Sequence, residues 1–152
     1  MGQITIENIA GHPGIHETVA QWLWSEWGNP HNHGLFRSLV AHCRGDGIPA
    51  IFVAFSDGNP VGAVGIYRAD LVSRQDLTPW MGTLYVMPEF RRQGIALALE
   101  EHALDRAKEL GFPEVFLYTR LTGYYERRGW EFLDRDEDDL GNRVGIYRKI
   151  IR

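Results

Sequence analysis

The chain contains 152 residues, the commonest size of a single domain, and we treat residues 1–152 as one domain. Its net charge of -4 argues against general nucleic-acid binding, because nucleic-acid-binding domains carry a basic face. The one cysteine, Cys43, excludes an intramolecular disulfide framework, and no apolar run approaches the ~18 residues of a membrane span. These limits favour a cytoplasmic protein with neither a nucleic-acid nor a membrane partner.

The N-terminal part predicts one strand followed by two helices. Gln3 to Asn8 alternates apolar and polar residues, as a strand does. From Ile15 to Trp27 the apolar residues recur at helical spacing, and Gly28-Asn29-Pro30 ends that pattern. A second helical pattern runs from Leu35 to Cys43 and is closed by Gly45 and Gly47. Since Cys43 lies at the end of this amphipathic stretch, we expect it to be a small core residue.

A hairpin is predicted next. Ala50 to Phe55 is a strongly apolar strand, and Asp57-Gly58-Asn59-Pro60 is a turn signal. Val61 to Tyr67 resumes the strand pattern, so the two strands should pair. The polar segment from Arg68 to Pro79 has no regular pattern and is expected to connect this hairpin to the central strand.

The clearest pattern lies in the middle of the chain. The apolar run Leu84–Met87 reads as a strand and stops at Pro88, which cannot donate to a ladder. The turn Arg91–Ala96 is basic and contains a glycine. A long amphipathic helix then runs from Ile95 to Leu110 and is ended by Gly111.

The C-terminal part adds a strand, a short helix and a hairpin. Glu114 to Tyr118 is mostly apolar without strict alternation, as expected of a buried strand with a parallel neighbour. Tyr124 to Arg128 predicts a short helix that Gly129 ends. Trp130–Leu133 and Val144–Lys149 predict a hairpin around an acidic loop. The element order predicts an α/β fold: a mixed, mostly antiparallel central sheet with helices on both faces.

The basic turn either has no function beyond preceding a helix or is a phosphate site, and its chemistry suits a phosphate. The first N–H groups of a helix have no intrahelical partner and lie at the positive end of its dipole. Gly94 and Ala96 leave room for a ligand to approach the backbone, and Arg91 and Arg92 add fork-shaped donors beside it.

Val86-x-Pro88-x-x-Arg91-Arg92-x-Gly94-Ile95-Ala96 resembles the acetyl-CoA signature of the GNAT superfamily of N-acyltransferases. The family pattern is Gln or Arg, two residues, Gly, one residue, then Gly or Ala. A second block, Leu117–Thr119 followed by Tyr124–Trp130, is similar to the family's strand, short helix and Tyr-x-x-x-Gly-aromatic segment. The two blocks cover roughly the C-terminal half, and the N-terminal half carries no specific motif.

The resemblance implies a GNAT-like acyl-CoA N-acyltransferase fold and direct attack of an amine on the acetyl-CoA thioester in a ternary complex. It implies that Arg91–Ala96 anchor the pyrophosphate and that Leu84–Val86 offer backbone to the pantetheine amides and the thioester carbonyl. Such a backbone donor is an oxyanion-hole element. The implied cofactor-binding residues are Leu84, Tyr85, Val86, Arg91, Arg92, Gln93, Gly94, Ile95, Ala96 and Thr119.

Tyr125 matches the family position whose hydroxyl protonates the departing sulfur, so the resemblance implies a catalytic role for it. A phenol has a pKa near 10 and stays protonated at neutral pH, as a general acid requires. Some relatives place a carboxylate early on the central strand, but Trp80–Thr83 contains no acid. The base candidates elsewhere are Glu26, His31 and His33, and a water chain is the alternative.

Two features bear on the acceptor. The acidic run Asp134–Asp139 is either a solvated turn or a negatively charged surface that attracts a cationic amine. Trp24 and Trp80 are candidates for stacking on a sugar or a cation, whereas Trp22 and Trp27 are expected to pack in the core. We therefore expect a small, cationic primary amine as acceptor.

Three alternatives accompany this interpretation. The first is a protein or peptide N-acetyltransferase, which needs an open groove that Arg68–Pro79 could block. The second is a non-catalytic acyl-CoA-binding module on the same fold. The third is a metal site, but His31-Asn32-His33 has no further Cys/His cluster, and Asp134–Gly145 lacks the Gly and Glu of a calcium loop, so no metal is predicted. Dimerisation is common in such folds, although no segment specifies an interface.

Overall fold

The computed structural model describes residues 3–152 and contains one seven-stranded sheet in the order β1-β2-β3-β4-β5-β7-β6. The strands are β1 (Ile4–Asn8), β2 (Ala50–Ser56), β3 (Asn59–Tyr67), β4 (Trp80–Val86), β5 (Glu114–Thr119), β6 (Glu131–Glu137) and β7 (Arg143–Ile150). The helices are α1 (His16–Trp27), α2 (His33–Ala41) and α3 (Ile95–Glu109). Every neighbouring pair is antiparallel except β4 and β5, which are parallel. The predicted fold class and element order are confirmed.

The helices cover both faces of the sheet because β2 and β3 are apolar on both sides. Phe52 and Ala54 pack with α3, whereas Ile51, Val53 and Phe55 pack with α1 and α2. Successive side chains of a strand point to opposite faces of the sheet. Every residue of β2 is buried, which shows that this strand lies between two layers.

The segment between β3 and β4 covers part of the sheet on the α1–α2 face. Its Leu71 is 2% exposed and packs with Trp80, Phe116 and Ile146 under the C-terminal half of the sheet. Ser73 donates a 2.9 Å hydrogen bond to Asp136 on β6. This connector is therefore a fixed part of the fold.

The parallel seam between β4 and β5 is short. The two strands pair only at Trp80 and Phe116, near the start of β4, and then diverge. One edge of β4 from Gly82 onward consequently has no neighbouring strand, and the sheet opens there.

The C-terminal hairpin differs from the expectation. Asp134 to Glu137 were expected in a loop but belong to β6, whose partners are on β7. β6 is the last strand of the sheet and can carry charges on its exposed sides because its pairing depends on the backbone. The turn itself is held by Asp138, whose Oδ1 accepts the N–H groups of Leu140 and Asn142.

Within the described residues 3–152, no helix has both the length and the apolar character needed to cross a membrane.

Candidate active site

Two cavities lie side by side where the sheet opens, and Leu84 on β4 lines both of them. The larger, about 570 Å³, is lined by Arg91 and Arg92, and we call it the arginine cavity. The smaller, about 270 Å³, contains Asp70 and Tyr125, and we call it the aspartate cavity. A group held at Leu84 would therefore be accessible from both sides.

The strand and turn predicted to bind a cofactor come together around the arginine cavity. Those that line it are Leu84, Tyr85, Val86, Arg91, Arg92, Gly94, Ile95 and Ala96. Gln93 is exposed and does not line it. Thr119 lines the aspartate cavity instead, and its Oγ1 accepts a 3.0 Å hydrogen bond from the N–H of Leu121.

The local backbone explains the turn. Arg92 has a φ of +64° and Gly94 a φ of +82°, the left-handed region that favours glycine. Gly94 precedes the first helical residue of α3, and no side chain caps that end, so the first N–H groups of the helix remain free beside the cavity. Left-handed residues in such turns bring successive N–H groups together into an anion-binding concavity. The left-handed backbone of Gly94 is a reason for glycine at this position in addition to the close approach of a ligand expected from the sequence.

Arg91 makes two contacts with β4. Its Nε donates a 2.8 Å hydrogen bond to the carbonyl of Val86, and its guanidinium lies 5.8 Å from the centre of the Tyr85 ring. These contacts fix the end of β4 and leave the remaining guanidinium donors near the cavity.

A third arginine of this cavity was missed by the sequence argument. Arg128 pairs with Glu100 of α3 at 3.1 Å, and its NH1 donates a 2.7 Å hydrogen bond to the hydroxyl of Tyr124. Glu100 is 1% exposed, and its other oxygen accepts a 3.2 Å hydrogen bond from the indole of Trp130. An Arg-Arg pair in a short polar turn carries no signal that one member is partly buried.

A bulge interrupts β4 beside the cavities. Ala63 pairs with Tyr85 and Gly65 with Gly82, so Val64 faces two residues, Thr83 and Leu84. Thr83 has a φ of +49°, which is unusual for a β-branched residue. Its hydroxyl shares a 2.6 Å hydrogen bond with the phenol of Tyr67, which holds it in this conformation. The bulge frees backbone groups from the ladder at the point where the two cavities meet.

Tyr125 lines the aspartate cavity and packs among aromatic rings. Its ring centre lies 4.9 Å from that of Tyr124, 6.1 Å from that of Trp130 and 6.4 Å from that of Tyr147. Burial raises the pKa of Tyr125 to about 12, and the negative charge of Glu100 adds to that effect. The phenol therefore keeps its proton at neutral pH.

Asp70 is a second cavity residue that the sequence did not reveal. It lies in the connector after β3, and its carboxylate reaches over Gly82 of β4: an ideal Cβ on Gly82 would overlap Oδ2 of Asp70. Burial raises the pKa of Asp70 to about 6. The path of an irregular connector cannot be read from composition, so no sequence signal separated Asp70 from other surface acids.

Of the three base candidates named from the sequence, one lines a cavity of the site. Glu26 lines the arginine cavity, and neither His31 nor His33 lines either cavity. His33 packs against Trp24 in a tilted arrangement, with ring centres 5.0 Å apart.

The tryptophan assignments were partly wrong. Trp80 is 0% exposed and donates its indole N–H to Leu77, so it is a core residue and cannot stack on an acceptor. Trp27, expected in the core, is 46% exposed and lines the aspartate cavity. Trp24 lines neither cavity and donates a 2.7 Å hydrogen bond to Asn29, whereas Trp22 packs in the core and against Tyr85.

Cys43 lies apart from both cavities. It is partly buried, its Sγ donates to the carbonyl of Leu39, and burial raises the pKa of its thiol to about 12. A thiol in this environment is a poor nucleophile.

A third, open cavity of about 660 Å³ continues from the aspartate cavity along β6 and β7, and we call it the edge cavity. The two share Thr119, Arg120 and Val144. Its wall carries both signs of charge, from Arg135 and Arg143 and from Glu126, Asp136 and Glu137. No group of three or more His, Cys, Asp or Glu residues within residues 3–152 is placed to hold a metal ion.

Comparison with known proteins identifies relatives. The family model described as the acetyltransferase (GNAT) family matches residues 16–130. The chain is 33% identical over 84 residues to N-alpha-acetyltransferase 30 of Schizosaccharomyces pombe, covering 52% of this chain and 55% of that protein. It is 29% identical over 101 residues to an uncharacterized N-acetyltransferase of Chlorobaculum tepidum, covering 65% of this chain and 57% of that protein. The matches thus span little more than half the length of these relatives.

Solved structures resemble the whole chain. A GNAT-family protein of Desulfovibrio desulfuricans superposes with a TM-score of 0.75 at 18% identity, covering 99% of this chain and 100% of that one. An aminoglycoside 6′-N-acetyltransferase complexed with coenzyme A gives a TM-score of 0.75 at 12% identity, covering 97% of each chain. A GNAT-family acetyltransferase of Elizabethkingia anophelis with acetyl-CoA bound gives 0.70 at 13% identity, covering 99% of each. At such identities the likeness shows the fold.

Proposed function

The chain belongs to the GNAT family of acetyltransferases, and from that membership we propose that it transfers an acetyl group from acetyl-CoA to a primary amine of a small, cationic acceptor. The observation that carries the proposal is the pair of cavities that meet at Leu84. One has the chemistry of a phosphate site, and the other contains a proton donor and a carboxylate.

The arginine cavity fits acetyl-CoA. Its wall combines the uncapped N-terminus of α3 with Arg91 and Arg92, which suits a pyrophosphate. The edge of β4 that β5 leaves unpaired offers backbone groups at Leu84 to Val86, which suits the amides of a pantetheine arm. When bound, acetyl-CoA supplies the activated acetyl group.

Residues of the chain then supply the remaining requirements of direct transfer. The bulge at Thr83 frees backbone groups where the two cavities meet, which suits polarisation of the thioester carbonyl in the manner of an oxyanion hole. Tyr125 donates its phenolic proton to the departing sulfur, since it stays protonated throughout the physiological range. Cys43 takes no part because it lines none of the three cavities.

The aspartate cavity favours a cationic acceptor. Asp70 and Asp138 both line it, and the exposed face of Trp27 provides a surface on which a cation or a sugar ring can stack. Arg120 also lines this cavity, so an acceptor that carries an anion beside its amine fits the same wall.

Release of free CoA thiol from acetyl-CoA tests the proposal with a panel of aminoglycosides, polyamines, amino acids and peptides. Turnover with a small cationic amine supports it. Tight acetyl-CoA binding without turnover across the panel would instead favour the non-catalytic acyl-CoA-binding module.

A peptide acceptor is the second candidate, and one observation favours it. The aspartate cavity opens into the edge cavity through Thr119, Arg120 and Val144, so an acceptor longer than a small amine has a surface to follow. Of the connector residues 68–79, Asp70 lines the aspartate cavity and none lines the edge cavity, which favours an open path between the two. Turnover confined to peptides in the same panel distinguishes this candidate.

A further inference from the structure

Asp70 is held in place by its neighbours in the connector. Leu71 is buried among Trp80 and Phe116, which fixes the chain immediately after Asp70. Further along, Arg74 pairs with Asp76 at 2.9 Å and with Asp134 of β6 at 3.4 Å. The carboxylate is therefore part of a fixed wall.

Gly82 is what admits the carboxylate to the cavity. The carboxylate occupies the space that a Cβ at Gly82 would need, so any larger residue at this position would displace it. It consequently lies against β4 one residue before the bulge at Thr83, and two residues before Leu84, where the cavities meet.

The surroundings of Asp70 leave its charge without a cationic partner. The groups that face the same space are Tyr67 on β3, Tyr118 on β5, Tyr125, Asp138 in the β6–β7 turn and Arg120 after β5. Among residues 3–152 no Lys, Arg or His side chain pairs with Asp70, and burial alone accounts for its raised pKa of about 6. A carboxylate in this state is ionised at neutral pH and more basic than an ordinary aspartate.

We infer that Asp70 is the general base that removes a proton from the acceptor nitrogen during acetyl transfer. The inference rests on the proposed function, and it supplies the base that the central strand itself lacks.

Acetyl transfer by this route conserves every proton and electron pair. A neutral primary amine forms a C–N bond to the acetyl carbon, and one N–H proton passes to the carboxylate of Asp70. The C–S bond breaks, its electron pair stays on sulfur, and the phenol of Tyr125 gives that sulfur a proton. The proton on Asp70 then returns through solvent to the Tyr125 phenolate, so the amide and the free thiol are the only products.

The pKa of Asp70 suits this role. An aliphatic ammonium has a pKa near 10.4, far too high for Asp70 to deprotonate it completely, so the reacting amine comes from the neutral fraction. Once the nitrogen begins to bond to the acetyl carbon it becomes strongly acidic, and a carboxylate of pKa about 6 is then a competent acceptor.

The test is a double-mutant cycle of Asp70→Asn and Gly82→Ala in the full chain, with acetyl-CoA and the best amine of the panel. Asp70→Asn keeps the side-chain shape and removes the base, and we expect kcat to fall about a hundredfold or more with acetyl-CoA affinity unchanged. Gly82→Ala displaces the carboxylate and should also lower kcat, but it should add little to Asp70→Asn because both changes remove one function.

The pH profile separates a base from a merely structural residue. In the unaltered protein the plot of log kcat/KM against pH should have a slope of about two below pH 6, from Asp70 and the amine together, and about one above it. In Asp70→Asn the slope should stay near one across that range.

Three results would overturn the inference. Full turnover in Asp70→Asn removes Asp70 from the chemistry while the proposed function stands. Reduced turnover with the slope change near pH 6 still present assigns the base to another group. No turnover by the unaltered protein with any amine refutes the proposed function, and the base assignment with it.

Discussion

The guanidinium of Arg128 and the carboxylate of Glu100 form an ion pair of 3.1 Å in the interior between α3 and the turn that carries Tyr125. The two side chains are 18% and 2% exposed. Arg128 also donates to the hydroxyl of Tyr124, whose ring packs against that of Tyr125, so the pair holds one tyrosine of that turn directly.

Arg128→Ala should destabilise the protein because it leaves the Glu100 carboxylate buried without its partner. Removing one member of a buried pair costs about 3–5 kcal/mol, which urea denaturation will measure as a lower midpoint. Arg127→Ala is the matched control, since Arg127 is exposed on the same turn and its loss should change the free energy of unfolding by less than about 0.5 kcal/mol. Equal stability of the two variants would show that the pair contributes nothing.

Replacing Arg91 and Arg92 together by Ala should weaken acetyl-CoA binding more than tenfold, or about 1.4 kcal/mol, because both guanidinium groups line the arginine cavity. Titration calorimetry measures the Kd, and Arg37→Ala, on α2 outside all three cavities, is the control. S-acetylpantetheine lacks the phosphates, so its binding should hardly change in the double variant. An equal loss for both ligands would contradict the phosphate assignment.

Tyr125→Phe should lower kcat by about 10²–10⁴ while the Kd of acetyl-CoA stays the same, because the hydroxyl acts only on the departing sulfur. With a pKa of about 12, Tyr125 of the unaltered protein should produce no loss of activity below pH 10. Tyr147→Phe removes a neighbouring hydroxyl that donates to Glu126 and should leave kcat nearly unchanged. The measurement is kcat for the unaltered protein and the two variants. Comparable losses of kcat in both variants would argue against a special role for Tyr125.

Trp27→Ala should raise the KM for the amine without changing the KM for acetyl-CoA. Trp27 lines the aspartate cavity and does not line the arginine cavity. Loss of a stacking surface for a cation is worth about 1 kcal/mol, or roughly fivefold. Trp24→Phe, outside both cavities, serves as the kinetic control. Trp80→Ala should instead destabilise the fold by about 3–5 kcal/mol, because it empties a fully buried site.

Asp70→Asn should make the protein more stable at neutral pH, because the folded state raises the pKa of Asp70 from 3.8 to about 6. A raised carboxyl pKa means that the ionised form is disfavoured in the fold. The destabilisation is therefore fully present above pH 6 and disappears below about pH 4. Urea denaturation at pH 7.5 and pH 4 should show a gain on the order of 2 kcal/mol at the higher pH only.

Asp46→Asn is the control for that measurement, because the fold shifts the pKa of Asp46 in the opposite direction from that of Asp70. A hydrogen bond from Arg44 lowers the pKa of Asp46, so removal of its charge should not stabilise the protein at neutral pH. A gain in both variants would point to net charge as the cause.

The element order could be predicted because local signals mark each boundary. Asp57 and Gly58 join β2 to β3 with φ values of +49° and +83°, a pair of left-handed residues that an Asp-Gly dipeptide favours. The signature turn at Gly94 is equally local. Such features depend on the backbone preferences of a few adjacent residues.

What the sequence argument missed depends on contacts between distant segments. Whether Trp27 or Trp80 faces a cavity is decided by packing around the sheet, which periodicity alone does not specify. The left-handed Thr83 is stabilised by a tyrosine 16 positions earlier, and Asp70 reaches the site because a connector crosses β4 at a glycine. In each case a tertiary contact overrides or adds to the local preference.

The sheet is joined at its middle by one backbone bridge, from Trp80 to Phe116, between a four-stranded half and a three-stranded half. A ligand that forms hydrogen bonds with the open edge of β4 and also lies against the turn of Tyr125 would connect the two halves of the sheet. Amide hydrogens along this seam should then exchange more slowly with solvent when acetyl-CoA is present. A hundredfold excess over the Kd adds about 2.7 kcal/mol to the free energy of unfolding. The lifetime of the folded protein would consequently follow the acetyl-CoA supply of its surroundings.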